Sequence, residues 1–184
     1  LMAEVIKVNG KNAAVQVFES TRGLKNGDNV EFEDRMLEAT LGPGLLSSSY
    51  DGLQNDLTTM TGVFLKKGEY TDPLNHEKLW DFTPLAKPGD KVVAADWLGE
   101  VKEGWLPHKI MVPFAFKGEY TVKSVAEAGQ YNIDKVIAVL TDSEGEDVNV
   151  TMYQKWPVKV AIKGYKDKPR PSKIMETGVR AIDT

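Results

Sequence analysis

The sequence contains no cysteine among its 184 residues, and it has only two histidines. The absence of cysteine excludes disulfides, thiolate nucleophiles and cysteine-based zinc sites within the chain. His76 and His108 stand far apart and outside any H-E-x-x-H motif, so they form no recognisable histidine metal site. We assign neither histidine a role. No apolar run approaches the roughly 20 residues of a membrane-spanning helix, and we expect no signal peptide.

Positive charge is also in short supply. The chain has 23 Lys and Arg against 27 Asp and Glu, which gives a net charge of -4 and a pI of about 5.3. Binding to nucleic acids depends on clustered basic side chains that displace counterions from phosphates. We therefore expect no nucleic-acid partner, and without an apolar span we expect no direct insertion into a membrane.

Motifs of the common catalytic sites are missing as well. No G-x-x-x-x-G-K-[ST] phosphate loop is present; the nearest stretch, residues 42–47, contains Pro43, which has no backbone N–H to offer a phosphate. No G-x-S-x-G nucleophile motif is present either. The acidic residues at 142–147 lack the order of an EF-hand and are typical of a solvated hairpin tip. The residues alone therefore identify no catalytic, cofactor-binding or metal-binding side chain.

Short alternating segments bounded by Gly, Asn and Pro predict a mainly β fold. Strands at 4–8, 12–18 and 29–32, with a hairpin turn at Asn9 and Gly10, predict part of a small antiparallel barrel. Five further runs at a spacing of about 8–12 residues predict an inserted barrel- or sandwich-like module. These runs are residues 62–64, 91–94, 98–101, 109–112 and 118–122. Strands at 136–140 and 148–152 follow, separated by a polar turn.

Three stretches, taken in order, resemble the catalytic A (alpha) subunit family of V/A-type rotary ATPases. Residues 41–46 (LGPGLL) with 50–54 (YDGLQ) resemble the family's L-G-P-G-[IL]-[LM] and [FY]-D-G-[IL]-Q. Residues 152–158 (MYQKWPV), followed by Arg170 and Pro171, resemble M-x-Q-x-W-P-V and its later R-P pair. Residues 177–184 (TGVRAIDT) resemble T-G-x-R-x-I-D-T.

The segment between the first two stretches resembles the insert that distinguishes this subunit from its paralogues. Residues 80–84 (WDFTP), 89–90 (GD) and 109–113 (KIMVP) are similar to its W-x-F-x-P, G-D and K-I-M-V-P signatures. Two positions depart from the family: Asn55 and Asp56 stand in place of the usual Arg-Pro, and Lys159 stands where arginine is usual. These departures indicate a divergent bacterial branch.

The resemblance implies a domain plan in four parts. Residues 1–36 would be a partial N-terminal β-barrel, and 37–61 a lead-in to an α/β nucleotide-binding domain. Residues 62–128 would be the inserted β module, often called the bulge or non-homologous region. Residues 129–184 would be a β hairpin and a connector leading to a phosphate loop that the sequence does not contain. We therefore expect the chain to be an N-terminal fragment of such a subunit.

The resemblance also implies a function for the full-length subunit. It would bind MgATP or ADP at its interface with the B subunit and couple ATP hydrolysis or synthesis to proton or sodium transport. Its partners would include central-stalk and peripheral-stalk subunits, and it would lie in the cytoplasm, peripheral to the membrane. The fragment would serve ring assembly and peripheral-stalk contact, would bind no cofactor, and would be inactive without the phosphate loop.

Two alternatives stay open. The chain could be a free-standing interaction module, in which case an exposed tryptophan of the insert is a candidate for partner contact; the candidates are Trp80, Trp97 and Trp105. It could instead be a biotinyl or lipoyl carrier, because residues 89–101 and 109–111 resemble the strand and turn pattern of such domains. Lys109 would then be the modified lysine at a hairpin tip, although Pro107 and His108 before it are not the carriers' usual context.

Overall fold

The computed structural model describes residues 1–46, 48–60, 66–163 and 167–183. Within these ranges the chain is built from short strands and a single short helix, which confirms the expected mainly β fold. The elements are β1 (Ala3–Asn9), β2 (Asn12–Val17), β3 (Glu38–Leu41), β4 (Trp80–Pro84), β5 (Lys91–Val92), β6 (Trp97–Glu103), β7 (Leu106–Met111), β8 (Tyr120–Val125), β9 (Gly129–Tyr131), β10 (Ala138–Thr141), β11 (Asp147–Val150), β12 (Gln154–Pro157) and α1 (Arg180–Asp183).

The strands form two four-stranded antiparallel sheets and two separate pairs. One sheet has the order β7-β6-β4-β9 and the other β11-β10-β8-β5, while β1 pairs with β2 and β3 with β12. Each four-stranded sheet ends in two edge strands among the described residues, so both sheets are open. The pairs β4–β9 and β8–β10 join strands on either side of residue 128. The domain boundaries expected at 36, 61 and 128 stay predictions.

The hydrophobic core is formed by side chains of the two four-stranded sheets and the segments next to them. Apart from Pro43, every described apolar side chain that is buried falls between Leu74 and Met152, and we call residues 74–152 the β core. In β4 the side chains alternate, with Trp80 and Phe82 buried and Asp81 and Thr83 exposed, as expected when one face of a strand covers a core.

Close packing in the β core fixes the identity of Gly99 in β6. A Cβ atom at this position would lie 2.3 and 2.4 Å from ring atoms of Phe82 and 2.9 Å from the carbonyl oxygen of Thr83. Only a residue without a Cβ allows β6 to approach β4 this closely. The fold therefore uses the glycine to seat a large aromatic ring in the core.

The N-terminal segment, residues 1–36, is organised differently. The predicted hairpin is confirmed as β1–β2, although its two-residue turn consists of Gly10 and Lys11 because Asn9 pairs with Asn12. The predicted strand at 29–32 is wrong: these residues have no strand conformation, and Val30 and Phe32 are exposed. A strand needs a neighbour to receive its backbone hydrogen bonds, and no described segment pairs with this one.

The strands predicted after residue 90 are confirmed with shifted ends, as β5, β6, β7, β8, β10 and β11. The strand predicted at 62–64 falls outside the described residues. Four strands were not predicted, namely β3, β4, β9 and β12. Two of these pair with each other over a long sequence distance, with Leu41 opposite Gln154 and Glu38 opposite Pro157. A partnership of this kind leaves no local pattern in the sequence.

Candidate functional site

The Gly-Pro-Gly loop after β3 is held by a carboxylate from the β core. The backbone N–H groups of Gly44 and Leu46 donate to Oε1 of Glu103, at 2.7 and 3.1 Å. Glu103 is the last residue of β6, and its side chain is only 6% exposed. Its other oxygen, Oε2, lies 2.7 Å from Nδ1 of His108 in β7. We call Glu103, His108 and the two N–H groups the carboxylate latch.

The carboxylate latch decides what the loop can do chemically. Backbone N–H groups that converge on one point form an anion site, and here the anion is the protein's own Glu103. A phosphate at the same place would lose these donors and meet a negative charge. The geometry therefore supports a structural loop, which is the interpretation favoured by Pro43 in the sequence.

The glycines of this loop are required by close contacts and by backbone conformation. A Cβ atom at Gly42 would lie 2.7 Å from Cβ and 3.2 Å from Cα of Tyr153, and Gly44 has a φ of 114°. The buried side chains of Leu74 and Trp80 pack on the same glycines. The loop is thus the junction where β3 meets the β core.

The first histidine, His76, lies between two aspartates. Nδ1 of His76 is 2.9 and 2.8 Å from the two carboxylate oxygens of Asp134, and Nε2 is 3.1 Å from Oδ2 of Asp72. The ring of Tyr153 meets the imidazole edge-on, with 5.6 Å between centroids. The hydrogen bond with Asp134 raises the pKa of His76, and the charge of Asp72 adds to this effect. Burial, and then the charge of Asp134, raise the pKa of Tyr153.

Lys109 does not occupy the position expected of a carrier lysine. It lies within β7 opposite Glu100 of β6, and its ammonium forms an ion pair with that carboxylate. The same ammonium is 4.8 Å from the centroid of the Trp97 ring, a cation–π contact. The tip of the β6–β7 hairpin consists instead of Gly104 and Trp105. The expectation of a modified lysine at a hairpin tip is therefore wrong, because the strands turn four residues before Lys109.

The tryptophans of the β core differ sharply in exposure. Trp80 is buried, Trp97 is 57% exposed, and Trp105 at the hairpin tip is 88% exposed. Gly104 before it has a φ of 60°, which suits a tight two-residue turn. A large aromatic side chain in this position covers no part of the protein's own core. It is the most prominent candidate for partner contact among the described tryptophans.

The acidic residues at 142–147 form a hairpin turn, as predicted. Oδ1 of Asp142 accepts the N–H groups of Glu144 and Glu146, and Asp147 pairs with Lys123 and accepts the hydroxyl of Thr141. Across the described ranges, no group of three or more His, Asp or Glu side chains has the arrangement of a metal site. None of the helices described in the structure is long and apolar enough to cross a membrane.

Sequence reasoning missed the functional role of Glu103. The available signal was the alternation in β6, where Val101 and Glu103 share the inward face. A glutamate at an inward position predicts a buried carboxylate that needs partners. Its partners, at Gly44 and Leu46, stand almost sixty positions earlier and could not be identified locally.

Comparison with known proteins gives consistent matches. Residues 71–159 match the family model described as the ATP synthase alpha/beta subunit barrel-sandwich domain, and residues 1–34 match the beta-barrel domain of the ATP synthase alpha/beta family. Over its whole length the chain is 46% identical to the V-type ATP synthase alpha chains of Borrelia garinii, Treponema denticola and Protochlamydia amoebophila. It spans 32%, 32% and 31% of those three proteins, about a third of their length.

Proposed function

This chain belongs to the ATP synthase alpha/beta family, and from this premise we propose that it is the N-terminal part of the catalytic A subunit of a V/A-type rotary ATPase. The observation that carries the proposal is the similarity to V-type ATP synthase alpha chains, which extends over the whole of this chain and includes the β core. The whole subunit would couple ATP hydrolysis or synthesis to the transport of protons or sodium ions.

The test of this proposal is the gene beyond the codon for Thr184. We expect a G-x-x-x-x-G-K-[ST] sequence downstream, because such a loop supplies the backbone N–H groups and the lysine that hold the nucleotide phosphates. A stop codon directly after Thr184 would overturn the proposal and leave a free-standing β module.

We propose that MgATP or ADP binds to the longer protein and that the 184-residue chain neither binds nor hydrolyses it. Phosphoryl transfer requires a phosphate-binding lysine and Mg²⁺ ligands in a fixed arrangement, and the sequence contains no phosphate loop. A phosphate-release assay on the purified chain should give a signal that does not rise with protein concentration. Turnover that scales with the chain and survives further purification would contradict this part of the proposal.

We propose further that the chain has a place in a multi-subunit head on the cytoplasmic side of a membrane. The N-terminal segment would join the ring of A and B subunits, and the inserted module would meet peripheral-stalk subunits, with the central stalk enclosed by the ring. Val5 and Val15 lie opposite one another on β1 and β2 and are both exposed. Adjoining exposed apolar side chains support a role in assembly, since exposed apolar patches mark interaction sites.

A contact through Trp105 is the specific form of this assembly role that the structure favours. Tryptophan is enriched among interface hot spots, and the side chain of Trp105 is 88% exposed at the tip of the β6–β7 hairpin. We expect Trp105→Ser to weaken binding to purified peripheral-stalk subunits by about thirtyfold, which is the effect of losing a hot spot worth about 2 kcal/mol. Trp97→Ser, near the base of the same hairpin, is the matched control and should change the affinity less.

Two results would contradict the proposed role of the chain. Equal binding by the wild type and Trp105→Ser would remove Trp105 from the proposed contact. An intact mass larger than that of the sequence by a lipoyl or biotinyl group, mapped to Lys109, would restore the carrier alternative in spite of the ion pair with Glu100.

A further inference from the structure

His76 joins three segments that are far apart in the sequence. Asp72 belongs to its own segment before β4, Asp134 to the loop between β9 and β10, and Tyr153 to the segment between β11 and β12. Both imidazole nitrogens lie within hydrogen-bond distance of a carboxylate, at 2.8 Å from Asp134 and 3.1 Å from Asp72. The side chain of His76 is about one third exposed, so protons reach it from solvent.

The arrangement fits only one protonation state of the ring. A neutral imidazole has one N–H and one lone pair, whereas an imidazolium has two N–H groups. With a neutral ring, one of the two carboxylates would face the nitrogen that carries the lone pair. That nitrogen and the carboxylate oxygen are both acceptors and would repel each other. Only the imidazolium can donate to Asp72 and to Asp134 at the same time.

We propose that Asp72, His76 and Asp134 form a proton-dependent clamp that fastens the segment 71–76 to the loop between β9 and β10. This device is separate from the proposed ATPase function and rests on side chains within the described residues. The titratable groups that face the imidazole are Asp72 from its own segment, Asp134 from the β9–β10 loop and Tyr153 from the segment before β12.

The sign of the pH dependence follows from the direction of the shift. The pKa of His76 is raised in the folded protein above its ordinary value of about 6.5. The clamp therefore contributes its full stability below that ordinary value and loses it as the pH rises through the higher folded value. The clamp is closed on the acidic side and opens on the alkaline side.

Opening should release Asp72 before Asp134. A deprotonated ring keeps one N–H, and the shorter distances to Asp134 favour keeping it on Nδ1. The released segment contains Leu74, whose N–H donates to Asp72 and whose side chain packs on Gly42 and Gly44. Loss of a proton from His76 should therefore loosen the packing of Leu74 at the junction between β3 and the β core.

The direct test is an NMR titration of the histidine ring protons in the 184-residue chain. With only two histidines, His76→Gln assigns the spectrum. We expect His76 to titrate above 6.5, and we expect Asp134→Asn to lower its pKa more than Asp72→Asn does. Glu119→Gln, which breaks an exposed ion pair with Lys91 elsewhere, is the control and should leave the titration unchanged. A pKa at or below 6.5, or one unaffected by Asp134→Asn, would overturn the proposal.

Amide hydrogen exchange tests whether titration opens the segment. After correction for the intrinsic pH dependence of exchange, protection at Leu74 should fall as the pH rises through the pKa of His76. In Asp72→Asn, which leaves the histidine and its Asp134 partner in place, the fall should be smaller. Protection at Leu74 that stays constant across the titration would show that His76 fastens nothing, and would contradict the clamp even if the raised pKa were found.

Discussion

The N-terminal hairpin and the β core are both antiparallel β structure, yet they bury their side chains in opposite ways. In the hairpin, Ile6 and Val8 are 63% and 66% exposed, whereas Phe82 and Leu98 in the β core are at most 1% exposed. Both regions contain apolar strand residues. The difference is that the sheets of the β core have their apolar faces covered by the rest of the core, while β1 and β2 have no covering layer within the described residues.

Polar contacts, instead, tie the hairpin to the rest of the chain. The hydroxyl of Tyr70 donates to Glu19 at 2.5 Å and accepts the N–H of Met2 at 2.6 Å, and Lys159 pairs with Glu4 at 2.7 Å. The hydrogen bond from Tyr70 lowers the pKa of Glu19. Contacts of this kind contribute little when they are exposed, and a two-stranded hairpin alone is marginally stable. The β core therefore folds around its own buried side chains, whereas the hairpin depends on what covers it.

The largest loss of stability is expected when the buried aromatic ring of Phe82 is removed from the β core. Phe82→Ala should lower the free energy of unfolding by about 3–5 kcal/mol, because it removes a fully buried side chain and leaves a cavity. Phe32→Ala in the N-terminal segment is the matched control, and its effect should stay within about 0.5 kcal/mol. Urea unfolding followed by tryptophan fluorescence measures both. Similar losses for the two variants would break the distinction between the regions.

A smaller loss is expected from the carboxylate latch. Glu103→Ala leaves the N–H groups of Gly44 and Leu46 without their acceptor, and hydrogen bonds to a charged group are worth about 1.5–3 kcal/mol. The control Glu119→Ala breaks the exposed pair with Lys91 and should cost less than about 1 kcal/mol. Unfolding in urea again provides the comparison. If Glu103→Ala proved as mild as Glu119→Ala, the loop would not depend on the latch.

The smallest effect should be local to the hairpin. Tyr70→Phe removes the hydroxyl that joins Glu19 to Met2, and it should raise amide exchange in β1 and β2 by roughly tenfold or less, as expected for a hydrogen bond worth about 1 kcal/mol. Global unfolding should hardly change. Tyr131→Phe removes a comparable hydroxyl inside the β core and should leave exchange in the hairpin unaltered. A drop in global stability with Tyr70→Phe would mean that the hairpin and the core unfold together.

The sequence predicted the fold best where structure is local. The β1–β2 hairpin and the strands between 91 and 122 were found because alternation and turn residues lie close together in the chain. The pair β3–β12 was missed because its two strands are over a hundred residues apart. The strand at 29–32 was predicted from its apolar residues alone, but a strand also requires a neighbour.

The candidate site followed the same rule. Trp105 is exposed because of a tight turn at Gly104, which is a local feature but was not located from the sequence. The carboxylate latch and the His76 clamp depend on contacts across 57 to 59 residues, to Glu103 and to Asp134, which composition and spacing do not reveal. Lys109 was placed at a hairpin tip because the turn itself was not located in the sequence.

The pairing of β3 with β12 has a consequence for how such a protein can be altered. Because Leu41 lies opposite Gln154, the chain leaves this ladder and returns to it at the same place. Everything between these two residues, including the β core, is an excursion whose two ends are already adjacent. We expect that, if the residues between them were deleted, a short turn could join Leu41 to Gln154 without stretching the strands β3 and β12. Adjacent ends of this kind are the geometry that allows one domain to be inserted into another.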